Sequence, residues 1–396
     1  MQTKGTQAPD EGGLRGAVVG NTRLSSINGD EGKLIYLGLD IHDLAKHSTY
    51  EEICYLLWYG ALPSREHLDD LRRQLAERRS LPDELIGVLR DLRPNSVPMD
   101  VLRTAVSALG LFDPSATDHS HAASLEHAKH LTAVFPTILA TYHRVSHGLE
   151  PLPARPDLDT AANFLYMFFG TEPSPEAARV LDVALILHAD HGMNASTFSA
   201  IVTAATLSDM YSAITSAVGT LKGPLHGGAN EGVIKNLLEI GDVARVDDWV
   251  AKKFAAHEKI MGFGHAVYKA YDPRATELKA IAKNVGARAG TTKWVELTER
   301  MEQAVWEQRH LFPNVDLYSA SVYYTLGFPT EYFTPIFAVS RVAGWCAHVL
   351  EQYADNKLIR PRANYVGRRG VSYEPIERRS GDIALWDPLP AATSEN

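Results

Sequence analysis

Gly262-Phe263-Gly264-His265-Ala266-Val267-Tyr268-Lys269, running on through Tyr271-Asp272-Pro273-Arg274, is a polar island in an apolar chain. Its opening Gly-x-Gly invites a dinucleotide-binding reading. The third glycine is missing and no strand-like run precedes it, so the fingerprint of a doubly wound sheet fails. Nor do strand and helix patterns alternate elsewhere, as an α/β fold requires. What surrounds the island reads as helix. Thr49 with Glu52 forms a capping box ahead of Ile53, Leu56 and Leu57, and Gly60 stops that helix. Ser64 caps a helix whose Leu68, Leu71 and Leu75 share one face. Ser174-Pro175 sets a cap and an N1 proline before Val180, Leu181, Ala184, Leu185 and His188. Thr334-Pro335 repeats the device before a helix running to about Tyr353. The nearly uncharged stretch from Ala200 to Val218 suits a buried helix that Gly223-Pro224 ends. Short β-prone pieces, Ala17-Val18-Val19 and Leu34-Ile35-Tyr36, flank a turn at Asn28-Gly29-Asp30. The fold class is mainly α.

At 396 residues the chain exceeds what one core usually supports, and two domains are expected. Residues 1–13 read as a disordered tail, and the prolines at 151, 153 and 156 as a surface loop. A formal charge of −9 argues against a nucleic-acid binder. Cys54 and Cys346, so far apart, suggest neither a disulfide framework nor a zinc cluster, and fit a reducing compartment. The first residues lack the apolar core of a signal peptide, and no unbroken apolar run is long enough to span a membrane. A cytoplasmic protein is expected.

Four polar clusters interrupt the apolar frame. Leu187-His188-Ala189-Asp190-His191-Gly192-Met193-Asn194 places two histidines three residues apart. They either share a metal or simply close a buried helix, and the recognised zinc patterns use other spacings. In Lys222-Gly223-Pro224-Leu225-His226-Gly227-Gly228, flanking glycines leave the His226 ring approachable, unless this is a plain turn. Gly262–Arg274 is the third cluster. In the fourth, Pro313-Asn314-Val315-Asp316, Asp316 is either a helix cap or a functional carboxylate. Arg341 lies in a helix apolar nearly all round, with Phe337 and Trp345 on its face. A buried guanidinium needs an anion, supplied by a nearby acidic side chain or by a ligand. Arg360-Pro361-Arg362 is a basic pair near the C-terminus.

Together these segments resemble the citrate synthase family: His188–Phe198, Lys222–Glu231, Gly262–Arg274, Asn314–Ser321 and Ser340–Trp345, in order. Gly13-Leu14-Arg15-Gly16, Asp30-Glu31-Gly32 and Leu358–Arg362 add to the likeness, which covers nearly the whole chain. The resemblance implies a homodimer whose subunits each pair a large helical domain (14–222 and 331–396) with a smaller mobile one (223–330). It implies condensation of acetyl-CoA with oxaloacetate to citrate and CoA, with no metal and no further cofactor. Asp316 would take the thioester's α-proton, His226 would donate to the thioester oxygen, and His265 would polarise the ketone. His191, Arg274 and Arg341 would hold oxaloacetate, with Arg360 reaching in from the partner subunit. Lys259, Ile260, Met261, Gly262, Phe263 and Gly264 would receive the adenine end of CoA. Two positions depart from relatives: Ala266 and Leu37 stand where Arg is common, and Lys269 is placed to compensate for the first. Within the family the alternative is a 2-methylcitrate synthase using propionyl-CoA, or dual activity. Outside it stand a metal-dependent hydrolase built on His188, Asp190 and His191, and a non-catalytic helical dimer.

Overall fold

The structure, a computed structural model, describes residues 17–379 apart from Ala266, Ala289, Val366, Arg368 and the side chain of Arg288. The expected tail, Gly13–Gly16 and the departure at Ala266 therefore lie outside the described residues. Two compact units divide the chain. One is Thr22–Ile359; the other joins Met1–Asn21 to Arg360–Asn396. In the latter, the one regular element among the described residues is a turn of 3-10 helix at Ile376–Arg378.

Thr22–Ile359 is helical except at its start. Strands β1 (Ser25–Asn28), β2 (Lys33–Tyr36) and β3 (Leu39–Asp40) form an antiparallel meander. Ser25 pairs with Tyr36 and Asn28 with Lys33, so the expected turn at Asn28-Gly29-Asp30 closes the first hairpin. Leu34 and Tyr36 alternate inward, which is why that apolar piece makes a strand. Ala17–Val19 does not. No described strand pairs with it and Val18 is exposed, so β propensity finds no ladder there. Leu37 sits in the tight turn between β2 and β3 with φ +47°.

The local helix signals act as read. Glu52 accepts from the Thr49 N–H at 2.8 Å in a complete capping box, and Gly60 ends that helix in the left-handed region. Ser64 and Ser174 cap theirs. Two expectations need correction. The apolar run beginning at Ala200 is not one helix but two, Ala195–Ala204 and Met210–Leu221. Asp209 accepts from the Ser212 N–H at 2.8 Å, and this cap restarts the helix inside an apolar stretch. The second correction is Thr334. The helix Phe333–Ala354 begins before it, after a 3-10 turn at Thr330–Tyr332. The buried Thr334 hydroxyl instead lies 2.9 Å from Glu231 Oε1 and 3.2 Å from the Gly227 carbonyl.

Phe333–Ala354 is the central post. It is long and apolar enough to cross a membrane, yet its apolar window is wholly buried inside the fold. His121–Ser146, Pro175–His188, Ala195–Ala204 and Met210–Leu221 pack around it. Gly344 lets it approach closely: a Cβ there would collide with the Ala189 carbonyl. A second group of helices, Ala229–Ile240, Val246–Ala255, Pro273–Arg288, Lys293–Arg309 and Val315–Thr325, packs on itself.

Candidate active site

The Gly262–His265 segment is stitched to the residues that precede Asp316. Gly264 N–H donates to Phe312 O at 3.0 Å, Asn314 N–H donates to Gly262 O at 3.0 Å, and Asn314 Nδ2 donates to Gly264 O at 2.9 Å. Gly262 has φ +92°, and a Cβ there would stand 2.8 Å from Val233 Cγ2, so the position admits only glycine. At the end of the clamp, His265 Nδ1 accepts from the N–H groups of Val267 and Tyr268 at 3.0 and 3.1 Å. Its ring proton is thereby assigned to Nε2. Burial first, then the Arg274 charge, pushes its pKa down to about 4, so the ring is neutral.

His191 faces His265 with 5.2 Å between ring centroids. Tyr268 connects the two: its hydroxyl lies 3.3 Å from His191 Nε2 and its ring 4.7 Å from that of His265. Behind His191, Asp190 is fully buried. His348, from the central post, reaches its Oδ1 at 3.1 Å, Ser25 bonds its Oδ2, and Tyr36 donates to its carbonyl at 2.9 Å. Burial, the largest single influence, would raise the Asp190 carboxyl, but His348, Arg341 and Ser25 together hold the group below its usual range. The small N-terminal sheet thus pins the backbone that carries His191.

Arg274 and Arg341 are both buried, and their charges reach most of the set. Arg274 is forked onto Asp272, Nε to Oδ1 at 3.0 Å and Nη2 to Oδ2 at 2.8 Å. The same carboxylate accepts from the Val315 N–H at 3.2 Å, next to Asp316. Arg341 donates from Nε to the His188 carbonyl at 2.6 Å, with its guanidinium 4.7 Å from the Phe337 ring. Among the described residues it forms no ion pair with any carboxylate. Burial accordingly lowers its pKa to about 10.

Asp316 is the second residue of the helix Val315–Thr325, and Asn314, not Asp316, is the cap, accepting from the Asp316 N–H at 3.0 Å. That leaves the Asp316 carboxylate without a structural duty: its Oδ1 is buried and unpartnered among the described residues. Desolvation pushes its pKa up to about 7 despite the nearby Arg274. His226 sits in the turn after Met210–Leu221. Its Nε2 accepts from the Ser196 N–H at 3.2 Å and lies 2.8 Å from Ser196 Oγ, which leaves the ring proton on Nδ1. Trp345 Nε1 donates to the same Oγ at 3.1 Å, so the post also orients His226. Burial, then Arg341, lowers its pKa to about 4. Arg341 acts on His226, His191 and Asp316, and Arg274 on His191, His265 and Asp316. All six groups therefore lie within one electrostatic neighbourhood.

The remaining predicted residues are placed as follows. Glu258, Lys259, Ile260, Met261, Gly262 and Phe263, with Phe254, Val305 and Leu311, line a cavity of about 280 Å³ whose wall is mostly apolar. Arg360 is exposed and belongs to the terminal unit. Lys269 is exposed and pairs with Asp30 at 3.0 Å. The three residues of the hydrolase alternative serve different partners: His188 turns Nδ1 to the Ala184 carbonyl at 2.8 Å, Asp190 is taken by His348 and Ser25, and His191 faces Tyr268. Among the described residues no three His, Cys, Asp or Glu are grouped to hold a metal ion. Sequence reasoning assigned no role to Ser196, Tyr268, Asp272, Trp345 or His348. Asp272 had a signal, an acid two residues before a buried arginine, and Tyr268 and Trp345 stand close in sequence to His265 and Arg341; Ser196 and His348 are joined to the site only through tertiary packing.

Comparison with known proteins adds three findings. Residues 13–362 match the family model described as citrate synthase, C-terminal domain. A citrate synthase of Haloferax volcanii is 49% identical over 93% of this chain and 98% of that protein; a 2-methylcitrate synthase of Shewanella oneidensis is 42% identical over 93% and 97%. The solved ternary complex of carboxymethyl coenzyme A and oxaloacetate with citrate synthase from Thermoplasma acidophilum superposes with a TM-score of 0.87, at 35% identity, over 92% of this chain and 98% of that one.

Proposed function

The chain belongs to the citrate synthase family, and from that premise we propose that it condenses acetyl-CoA with oxaloacetate, releasing citrate and CoA. The observation that carries the reading is Arg341, a buried cation with no carboxylate partner among the described residues, set beside two neutral histidines and a carboxyl of raised pKa. A dianionic keto acid supplies the missing negative charge. His191, Arg274 and Arg341 hold it, Arg274 through the donors that Asp272 leaves free. Asp316, desolvated and half-ionised near neutral pH, takes a proton from the acetyl methyl group, and His226 Nδ1–H donates to the thioester oxygen as the enolate forms. The enolate carbon attacks the keto carbon while His265 Nε2–H donates to the ketone oxygen, which becomes the hydroxyl of citryl-CoA; the proton that Asp316 took from the methyl group replaces the one the imidazole gave. Water then cleaves the thioester to citrate and free CoA.

The cavity beside Lys259–Phe263 suits the flat adenine end of CoA, its apolar wall matching a stacked base. The helices between 223 and 330 act as the smaller, mobile domain, closing on the rest and excluding water. The working enzyme is a cytoplasmic homodimer in which Arg360 of one subunit completes the site of the other. Buried, unpaired cysteines at 54 and 346 agree with a reducing compartment.

A second reading, propionyl-CoA as the acyl donor, is favoured by the 2-methylcitrate synthases among the relatives, at 42% and 40% identity. One methylene in an apolar pocket is worth only about 1–3 kcal/mol. Initial rates of thiol release with acetyl-CoA and propionyl-CoA decide between them: acetyl-CoA is expected to have the higher kcat/KM. The opposite ranking transfers the assignment to 2-methylcitrate synthesis, and no thiol release with either defeats both.

A further inference from the structure

Behind Asp316 three buried polar atoms have no partner among the described residues: Asp316 Oδ1, the Tyr323 hydroxyl and His188 Nε2. Asp316 and Tyr323 are seven residues apart on the helix Val315–Thr325, two turns along one face. The Tyr323 ring centroid is 6.4 Å from that of His188. Asp316 acts electrostatically on the Tyr323 phenol, second only to burial in raising it. All three side chains belong to the packed interior, where an unsatisfied polar atom is rare and requires an explanation.

Their hydrogen-bonding inventory does not close internally. His188 gives its Nδ1–H to the Ala184 carbonyl at 2.8 Å, so its Nε2 is an acceptor. The carboxylate oxygen is an acceptor as well. Tyr323 has a single O–H and can satisfy only one of them. One water molecule satisfies all three, since it carries two donors and accepts the phenol. A typical buried water makes about three such bonds.

The geometry points to a buried site for one water, which donates to Asp316 Oδ1 and to His188 Nε2 and accepts from the Tyr323 hydroxyl. This deepens the assignment of Asp316 as base and rests on it. With Oδ1 held from behind, Oδ2 is directed at the acyl group. When the substrate C–H bond breaks, its electron pair stays on the enolate and the proton forms an O–H bond on Oδ2. The water keeps its donor bond to Oδ1 throughout and is not consumed. Tyr323 and His188 are positioning residues acting through it.

Tyr323→Phe removes the phenol oxygen and keeps the ring. The acid limb of kcat/KM for acetyl-CoA should move upward by about 0.5–1 pH unit, because the carboxylate loses hydrogen-bonding support. Turnover should fall about tenfold, with the KM for oxaloacetate within about twofold of the parent. A merely structural tyrosine would leave the pH profile in place, and an unmoved profile with normal turnover overturns the site. A high-resolution crystal structure of the parent enzyme with oxaloacetate is the independent check. It should show a water within hydrogen-bonding distance of all three atoms, and a dry interior with the phenol turned elsewhere overturns the site even where the variant fails to fold. Asp316→Asn separates the two claims. If it retains turnover, the base assignment fails; if it is inactive while Tyr323→Phe is unchanged, only the water site fails.

Discussion

Two buried arginines divide the candidate site into unlike halves. Around Arg274 the charge is settled within the protein. Asp272 takes two of its N–H groups and also ties down Val315, so cation, anion and the start of the Asp316 helix form one closed unit. Around Arg341 it is not settled: a carbonyl and an aromatic face are its partners, and its pKa is lowered. The first half closes its charge within the protein; the second leaves it open, as the proposed binding of a dianion requires. Burial alone does not distinguish them, because Arg274 is 2% exposed and Arg341 1%. The partner does.

The contrast can be broken by removing each charge in turn. Arg274→Met strands Asp272 in the interior, and chemical denaturation should register a loss of about 3–5 kcal/mol. Arg341→Met strands no carboxylate and frees only the His188 carbonyl. Its melting midpoint should hold or rise, while calorimetry shows oxaloacetate binding weakened by about 2–4 kcal/mol, or roughly 30-fold to 1,000-fold. Equal stability losses in the two variants would erase the distinction. The pH dependence sharpens it further. As the proposed base, Asp316 has to be ionised, and its pKa is raised to about 7, so kcat/KM should fall about tenfold per unit below that value. His226 and His265, lowered to about 4, stay neutral across this range and add no limb near 6.5. A rate profile flat down to pH 5 would remove the carboxylate from the chemistry.

How much of this was legible beforehand depended on the range of each interaction. The caps at Thr49, Ser64 and Ser174 are made by residues three positions apart, and the chain alone announces them. The break at 205–209 was hidden because neither glycine nor proline marks it in a nearly uncharged stretch, and a single aspartate restarts the helix. Thr334 looked like a cap, yet its hydroxyl is committed to Gly227 and Glu231, more than 100 residues away. The same limit applies to the site. His226, His265, Asp316 and the arginines stood out as polar residues in apolar or glycine-rich settings. Ser196, Tyr268 and His348, which hold His226, His191 and Asp190 respectively, owe these roles to contacts across 30, 77 and 158 residues.

Asn314 links the histidine loop to the aspartate helix through two hydrogen bonds to the glycines at 262 and 264. A part joined in this way travels as one piece. Under the proposed mechanism, the carboxylate assigned to the methyl group and the imidazole assigned to the ketone arrive already in register with each other. Only their joint pose against the His226 side has to be found, six rigid-body coordinates in place of twelve.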